Sequence, residues 1–183
     1  MIKKRTSNFV FKEILHKGLT QEIKYKKKII DKKSKFQRIE IFDSYTYGRV
    51  LSLDGVVQVT EKDESAYSEM ITHPAINSIS KPENVLIIGG GDGAVAEEVL
   101  KHKKIKQIDL VDIDMEVINL SKKYLKKINQ GSLDDSRLKI FEMDAFYYIK
   151  TTKTKYDIII ADRPDPLGAG KSLFKSTFYK NIK

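Results

Sequence analysis

Val85-Leu86-Ile87-Ile88-Gly89-Gly90-Gly91-Asp92-Gly93-Ala94 is the stretch on which the reading of this 183-residue sequence turns. Four apolar residues without a polar break have the pattern of a strand buried on both faces. A glycine loop over residues 89–93 follows, and residues 94–102 have the composition of a helix. Gly89, Gly91 and Ala94 fit the pattern G-x-G-x-x-A, in the strand–loop–helix context that gives such a pattern meaning. The alternation continues downstream, with predicted strands at 107–111, 138–141 and 156–160 and a helix from Met115 to about Ile128. Alternating strands and helices imply a parallel sheet covered on both faces, a Rossmann-like doubly wound α/β fold.

Upstream the texture differs. Residues 9–60 are rich in β-branched and aromatic residues with turn signals between short runs. Residues 37–42 alternate polar and apolar, 49–53 start another strand, and after the turn Asp54-Gly55 residues 56–60 complete a meander of hairpins. Glu61-Lys62-Asp63-Glu64 opens a helix whose acidic start suits the dipole, with Tyr67, Met70 and Ile71 along it. The expected organisation is a small antiparallel β-hairpin domain over 1–60 and a nucleoside-binding domain over 61–183.

Composition removes several function classes. There is no Cys, so disulfides, thiolate metal sites and a cysteine nucleophile are excluded. His16, His73 and His102 are scattered, and no metal site is expected. No apolar run approaches a membrane span, and the basic start lacks the apolar region of a secretory signal. A cytoplasmic protein without a membrane partner is the expectation. The net charge of +9 raises nucleic acid as a partner. The lysines, however, are dispersed among Ile and Tyr as solvated faces are, and no RNA-binding aromatic motif accompanies them. No nucleic-acid partner is expected.

In a doubly wound sheet, ligands bind outside the carboxyl ends of the strands. Asp92, Asp112, Asp144, Asp162 and Asp165 all fall there. Asp112 ends the strand after the glycine loop, about 20 residues on, where a ribose-binding carboxylate belongs. Asp92 lies where a dinucleotide would lay its pyrophosphate, and its charge would repel one. A positively charged ligand without phosphate, such as the adenosyl sulfonium of S-adenosylmethionine or a relative, suits the loop better. Asp144 is then placed for the adenine amino group. Asp92 as a simple helix cap is the alternative, and the two roles are compatible.

At this point the residues resemble a known family, the spermidine synthases or polyamine aminopropyltransferases. The resemblance rests on Ser34-Lys35-Phe36-Gln37, Tyr47-Gly48-Arg49-Val50-Leu51-Ser52-Leu53-Asp54-Gly55-Val56-Val57-Gln58 and Thr60-Glu61-Lys62-Asp63-Glu64. It continues through Tyr67, Glu69-Met70, the glycine loop with Asp92, Asp112-Ile113-Asp114, Asp144, Asp162-x-x-Asp165-Pro166 and Ser172-Leu173-Phe174. It implies a sheet of the S-adenosylmethionine-dependent methyltransferase type. The implied reaction is transfer of the aminopropyl group of decarboxylated S-adenosylmethionine, as co-substrate, to a diamine such as putrescine, with no other cofactor. Asp162 would be the general base, with Tyr67 and Asp165 orienting the attacking amine and Asp92 pairing with the donor's ammonium. Gln37 would contact the donor, and Asp112 and Asp144 the ribose and adenine. A homodimer or homotetramer built through the amino-terminal hairpins is also implied.

Four positions depart from the family, one of them Gly170, which follows Ala169 where Gly-Pro-Ala commonly comes after the Asp-Pro pair. Ser68 stands where His or Gln usually follows the tyrosine in the diamine site, Asp112 replaces a Glu, and Arg163 replaces Ser or Thr. A guanidinium at 163 could depress its carboxylate neighbours or point to solvent. The family also continues for about another hundred residues, so the sequence reads as truncated at its carboxyl end and its catalytic domain as incomplete. The rival readings are an S-adenosylmethionine-dependent methyltransferase and a non-catalytic nucleoside-binding paralogue. Agmatine, cadaverine and spermidine are alternative acceptors.

Overall fold

The computed structural model describes residues 9–163 and 174–182. The chain divides into two compact units, Met1–Glu64 and Ser65–Lys183.

The first unit is a five-stranded antiparallel meander of β1 Phe9–His16, β2 Leu19–Lys33, β3 Arg38–Ser44, β4 Arg49–Leu53 and β5 Val56–Thr60, paired in sequence order. Its cluster of Phe11, Ile23, Phe42 and Val50 takes one side chain from each of the first four strands. Cross-strand register produces it, because Phe11 faces Ile23 and Phe42 faces Val50. Asp54 and Gly55 both have positive φ, 50° and 80°, as the tight turn joining β4 to β5 demands.

The sequence reading placed three of these strands and missed β1 and β2. The 15-residue β2 contains the run Lys26-Lys27-Lys28 and carries bulges between Tyr25 and Lys27 and between Lys28 and Ile30. Each bulge shifts the side-chain alternation, so no strict period of two survives in the sequence.

The second unit holds a parallel sheet in the order β8-β7-β6-β9. In chain order it comprises α1 Glu64–Asn77, β6 Asn84–Gly89, α2 Ala94–Leu100, β7 Gln107–Asp112, α3 Met115–Tyr124, α4 Lys126–Asn129, β8 Leu138–Glu142, α5 Ala145–Thr151, β9 Ile158–Asp162 and α6 Ser176–Ile182. Strand alternation assigns the two cores. Val85 and Ile87 pack with Val95, Val99, Ile108, Leu110 and Ile118 on one face. Leu86 and Ile88 pack with Val111, Ala145, Tyr148 and Phe178 on the other. Both faces of β6 are therefore buried, as its uninterrupted apolar run requires. No helix among the described residues is long and apolar enough to cross a membrane.

Several boundaries differ from the sequence reading, each for a local reason. Helix α1 starts at Glu64, not Glu61, because Glu61 N–H still donates to the Arg49 carbonyl at 2.9 Å. The Thr60 hydroxyl then closes a turn onto Asp63 at 2.6 Å. The helix expected over 115–128 breaks at Leu125, which is fully buried and leaves helical geometry at φ −107° and ψ 31°. Helix α2 stops at Leu100, two residues early, and α5 was not placed at all. Strand β9 starts two residues late and reaches Asp162, because the Asp157 carboxylate accepts from the backbone of Glu83 and Asn84 at 2.8 and 2.9 Å and closes the turn before the strand.

Candidate functional site

Strand β6 sits between β7 and β9, so the chain leaves it toward one side of the sheet and returns on the other. Such a reversal opens a crevice at the carboxyl ends of the strands. The parallel register sets Gly89, the last residue of β6, opposite Asp162, the last of β9. Contact there is so close that a Cβ on Gly89 would lie 1.9 Å from the Asp162 carbonyl oxygen, at a φ of +79°. Only glycine tolerates both conditions. A Cβ on Gly90 would stand 3.2 Å from Asp162 Oδ2, and one on Gly91 2.7 Å from Asp112 Oδ2. The two carboxylates thus lie against the glycine loop from opposite sides, one from β9 and one from β7.

Asp92 completes the acidic crevice from within the loop. Its Oδ1 accepts from Ala94 N–H at 2.8 Å at the start of α2, while the N-cap position itself is taken by Gly93 in left-handed geometry. Asp112 Oδ1 accepts from Asp114 N–H at 2.9 Å. Tyr67, on α1, donates its hydroxyl to Asp162 Oδ1 at 3.1 Å. The ring is 55% exposed.

Burial dominates the electrostatics, disfavouring the charged form of every carboxylate here. It pushes Asp162 up to about 7, with the Asp92 charge adding and the Tyr67 hydrogen bond opposing. It pushes Asp112 up to about 6, against the backbone N–H of Asp114. Asp92 is also raised by burial, against the Ala94 hydrogen bond. The Tyr67 phenol is raised by burial and then by the Asp162 charge, so it stays a proton donor at neutral pH. Where they ionise, three such carboxylates in one crevice attract a cation, and Asp162 titrates near neutrality, where a base is most effective.

The remaining sequence candidates fall at different places. Asp144 is exposed at the end of β8 and caps α5, accepting from Phe146 N–H at 2.7 Å. Ser68 is fully buried on the opposite side of α1 from solvent, whereas its neighbour Tyr67 is not. Gln37 belongs to the first unit, in a turn closed by the Ser34 hydroxyl, which accepts from Gln37 N–H at 3.1 Å. Asp165 lies outside the described residues.

Arg163 is not among the groups that shift Asp162, and the other carboxylate neighbour, Asp165, lies outside the described residues. The Arg163 guanidinium stacks on the Phe174 ring at 3.8 Å and donates to the Tyr179 hydroxyl at 2.6 Å. A supporting layer under the glycine loop was also missed. The Ser132 hydroxyl donates to the Gly93 carbonyl at 2.8 Å, and Asn129 bonds the Ser121 carbonyl at 3.0 Å. The turn residues Asn129-Gln130-Gly131-Ser132 were its signal in the sequence.

Comparison with known proteins follows the same division. Residues 9–61 match the spermidine synthase tetramerisation domain, and residues 64–183 match the spermine/spermidine synthase domain. A polyamine aminopropyltransferase of Ruegeria sp. (strain TM1040) is 44% identical over 91% of this chain and 59% of its own length. A spermine synthase of Arabidopsis thaliana is 41% identical over 98% of this chain and 50% of its own length. A crystal structure of a spermidine synthase in complex with the transition state analogue AdoDATO superposes with a TM-score of 0.92 at 35% identity, covering 98% of this chain and 63% of that one. The spermidine synthase of Thermotoga maritima gives a TM-score of 0.87 at 34% identity, over 99% and 61%. The chain spans about 59% of the Ruegeria relative. With both domain matches in order and the fold shared throughout, the chain belongs to the spermine/spermidine synthase family.

Proposed function

We propose that this chain carries the donor-binding and proton-accepting part of a polyamine aminopropyltransferase. The reaction is transfer of the aminopropyl group of decarboxylated S-adenosylmethionine to putrescine, giving spermidine and methylthioadenosine. One observation carries the reading: Asp162, held at about 7, lies against the glycine loop with a phenol donating to it.

The substrate amine supplies the chemical problem. Its pKa is near that of a lysine, about 10.4, so at neutral pH it arrives protonated and cannot attack. Asp162 accepts that proton. The freed nitrogen forms a bond to the carbon next to sulfur, the carbon–sulfur bond breaks with its electron pair going to sulfur, and the sulfonium becomes a neutral thioether. Positioning the base and both substrates in one crevice turns a multi-body encounter into an oriented step. Tyr67 fixes the carboxylate's orientation, and Asp165 assists in holding the amine. Asp112 and Asp144 hold the ribose and adenine. Asp92 pairs with the ammonium at the end of the donor's aminopropyl chain. The same charge disfavours intact S-adenosylmethionine by setting carboxylate against carboxylate, which is specificity through repulsion.

The five-stranded unit is assigned to self-association as a dimer or tetramer, which its match to a tetramerisation domain supports. Cytoplasmic residence follows from the same reading. Its test is calorimetric binding of decarboxylated and intact S-adenosylmethionine, followed by mass spectrometry of the mixture with putrescine. Preference for the decarboxylated donor together with a spermidine product supports the proposal. Methyl transfer from the intact donor would replace it.

A further inference from the structure

Arg163 follows Asp162 directly, and a free guanidinium there has the reach to pair with the carboxylate. Such a pair would favour the ionised acid but would also occupy the anion that a cationic amine needs. The structure directs the guanidinium elsewhere. It lies 3.8 Å from the Phe174 centroid, 5.6 Å from Phe178 and 5.7 Å from Tyr179. Its Nη2 donates to the Tyr179 hydroxyl at 2.6 Å. All three rings belong to the segment 174–182, and Phe178 is fully buried in the core that carries Leu86 and Ile88. The cage is therefore anchored to the sheet. Aromatic faces attract a guanidinium through the ring quadrupole, and its flat shape suits stacking.

We infer that Phe174, Phe178 and Tyr179 form a positioning device that holds the Arg163 guanidinium away from the Asp162 carboxylate, leaving that carboxylate open to a cationic amine. The inference rests on the reading of Asp162 as proton acceptor. The other groups acting on Asp162 are Tyr67 from α1, Asp92 from the glycine loop and Asp112 from β7. These donate a hydrogen bond or add negative charge. Arg163 is the one adjacent cation in the sequence, and releasing it would reverse the local balance.

The test is a carbon-13 NMR titration of the Asp162 carboxyl in the full chain, assigned with Asp162→Asn. It needs no turnover, so a failure of the transferase reading leaves the result interpretable. The paired variant Phe174→Leu with Tyr179→Phe spares buried Phe178. It is expected to lower the Asp162 midpoint by about one unit, a tenfold change in acidity. Adding Arg163→Ser to that pair is expected to restore the wild-type midpoint, and Arg163→Ser alone to leave it unchanged. Tyr179→Phe alone removes a single hydroxyl and shifts the midpoint in the same direction by less. That variant decides the matter if the pair does not fold. The inference is overturned if the midpoint stays at its wild-type value in the caged-residue variants, or if it falls equally when Arg163 is absent.

Discussion

Asp162 is where the site's chemistry and its cost to stability meet. Its carboxyl ionises near 7 in the folded chain, against 3.8 for an ordinary aspartate. Between those values the folded state binds more protons than the unfolded one. The stabilisation it gives is complete below the ordinary value and is lost as pH rises through about 7. Asp162→Asn is therefore expected to raise the melting temperature over wild type at pH 8, with the gap narrowing toward pH 5. A scanning-fluorimetry series checks this, and a constant gap would place the carboxylate's ionisation elsewhere. Tyr67→Phe removes the hydrogen bond that holds Asp162 down, so the Asp162 midpoint is expected to move up, as read by the same carboxyl titration. At this scale the convergence of Asp92, Asp112 and Asp162 was legible from sequence because strand ends point at the crevice, whereas Asp144 is exposed as the cap of α5 and Asp165 lies outside the described residues. The course of Arg163 was not legible, since it depends on rings that the fold brings from Phe174 and from helix α6.

The glycine loop shows how a strand pair dictates residue choice. Gly89 combines positive φ with a 1.9 Å approach to a backbone oxygen that no side-chain movement can relieve. Gly89→Ala is expected to destabilise the second unit by well over the 1–2 kcal/mol that left-handed backbone alone costs, about, in a non-glycine residue. Urea denaturation measures it. Gly91 has no such backbone demand, but its Cβ would meet the Asp112 carboxylate at 2.7 Å. Gly91→Ala is expected to weaken methylthioadenosine binding at least tenfold in calorimetry while leaving the denaturation midpoint nearly unchanged. The strand–loop–helix unit was readable because its apolar run and glycines admit few other structures. Strand β2 was not, since two bulges erase its alternation, and the break at Leu125 was hidden because a buried leucine fits a helix equally well. The two-residue shift of β9 matters most, since it makes Asp162 the register partner of Gly89.

Across the whole molecule, a basic chain carries an acidic crevice. The net charge of +9 is spread over exposed positions such as Lys24, Lys26, Lys27, Lys32 and Lys33 of β2, while three carboxylates converge at the sheet's carboxyl edge. Net charge governs solubility and non-specific encounters, and the local field governs the ligand. The division into two units was legible from the change in texture near residue 60, with the contact boundary falling at Glu64. Sedimentation equilibrium is expected to give two or four times the 21.0 kDa chain mass, and a monomer would contradict the role assigned to the meander. The most direct measurement is the pH dependence of a single turnover of decarboxylated S-adenosylmethionine with putrescine, read as spermidine by mass spectrometry. The expected rate rises about tenfold per pH unit below the Asp162 midpoint of about 7, levels off above it and vanishes in Asp162→Asn. Spermidine formed by Asp162→Asn at the wild-type rate, with the same profile, would contradict the account.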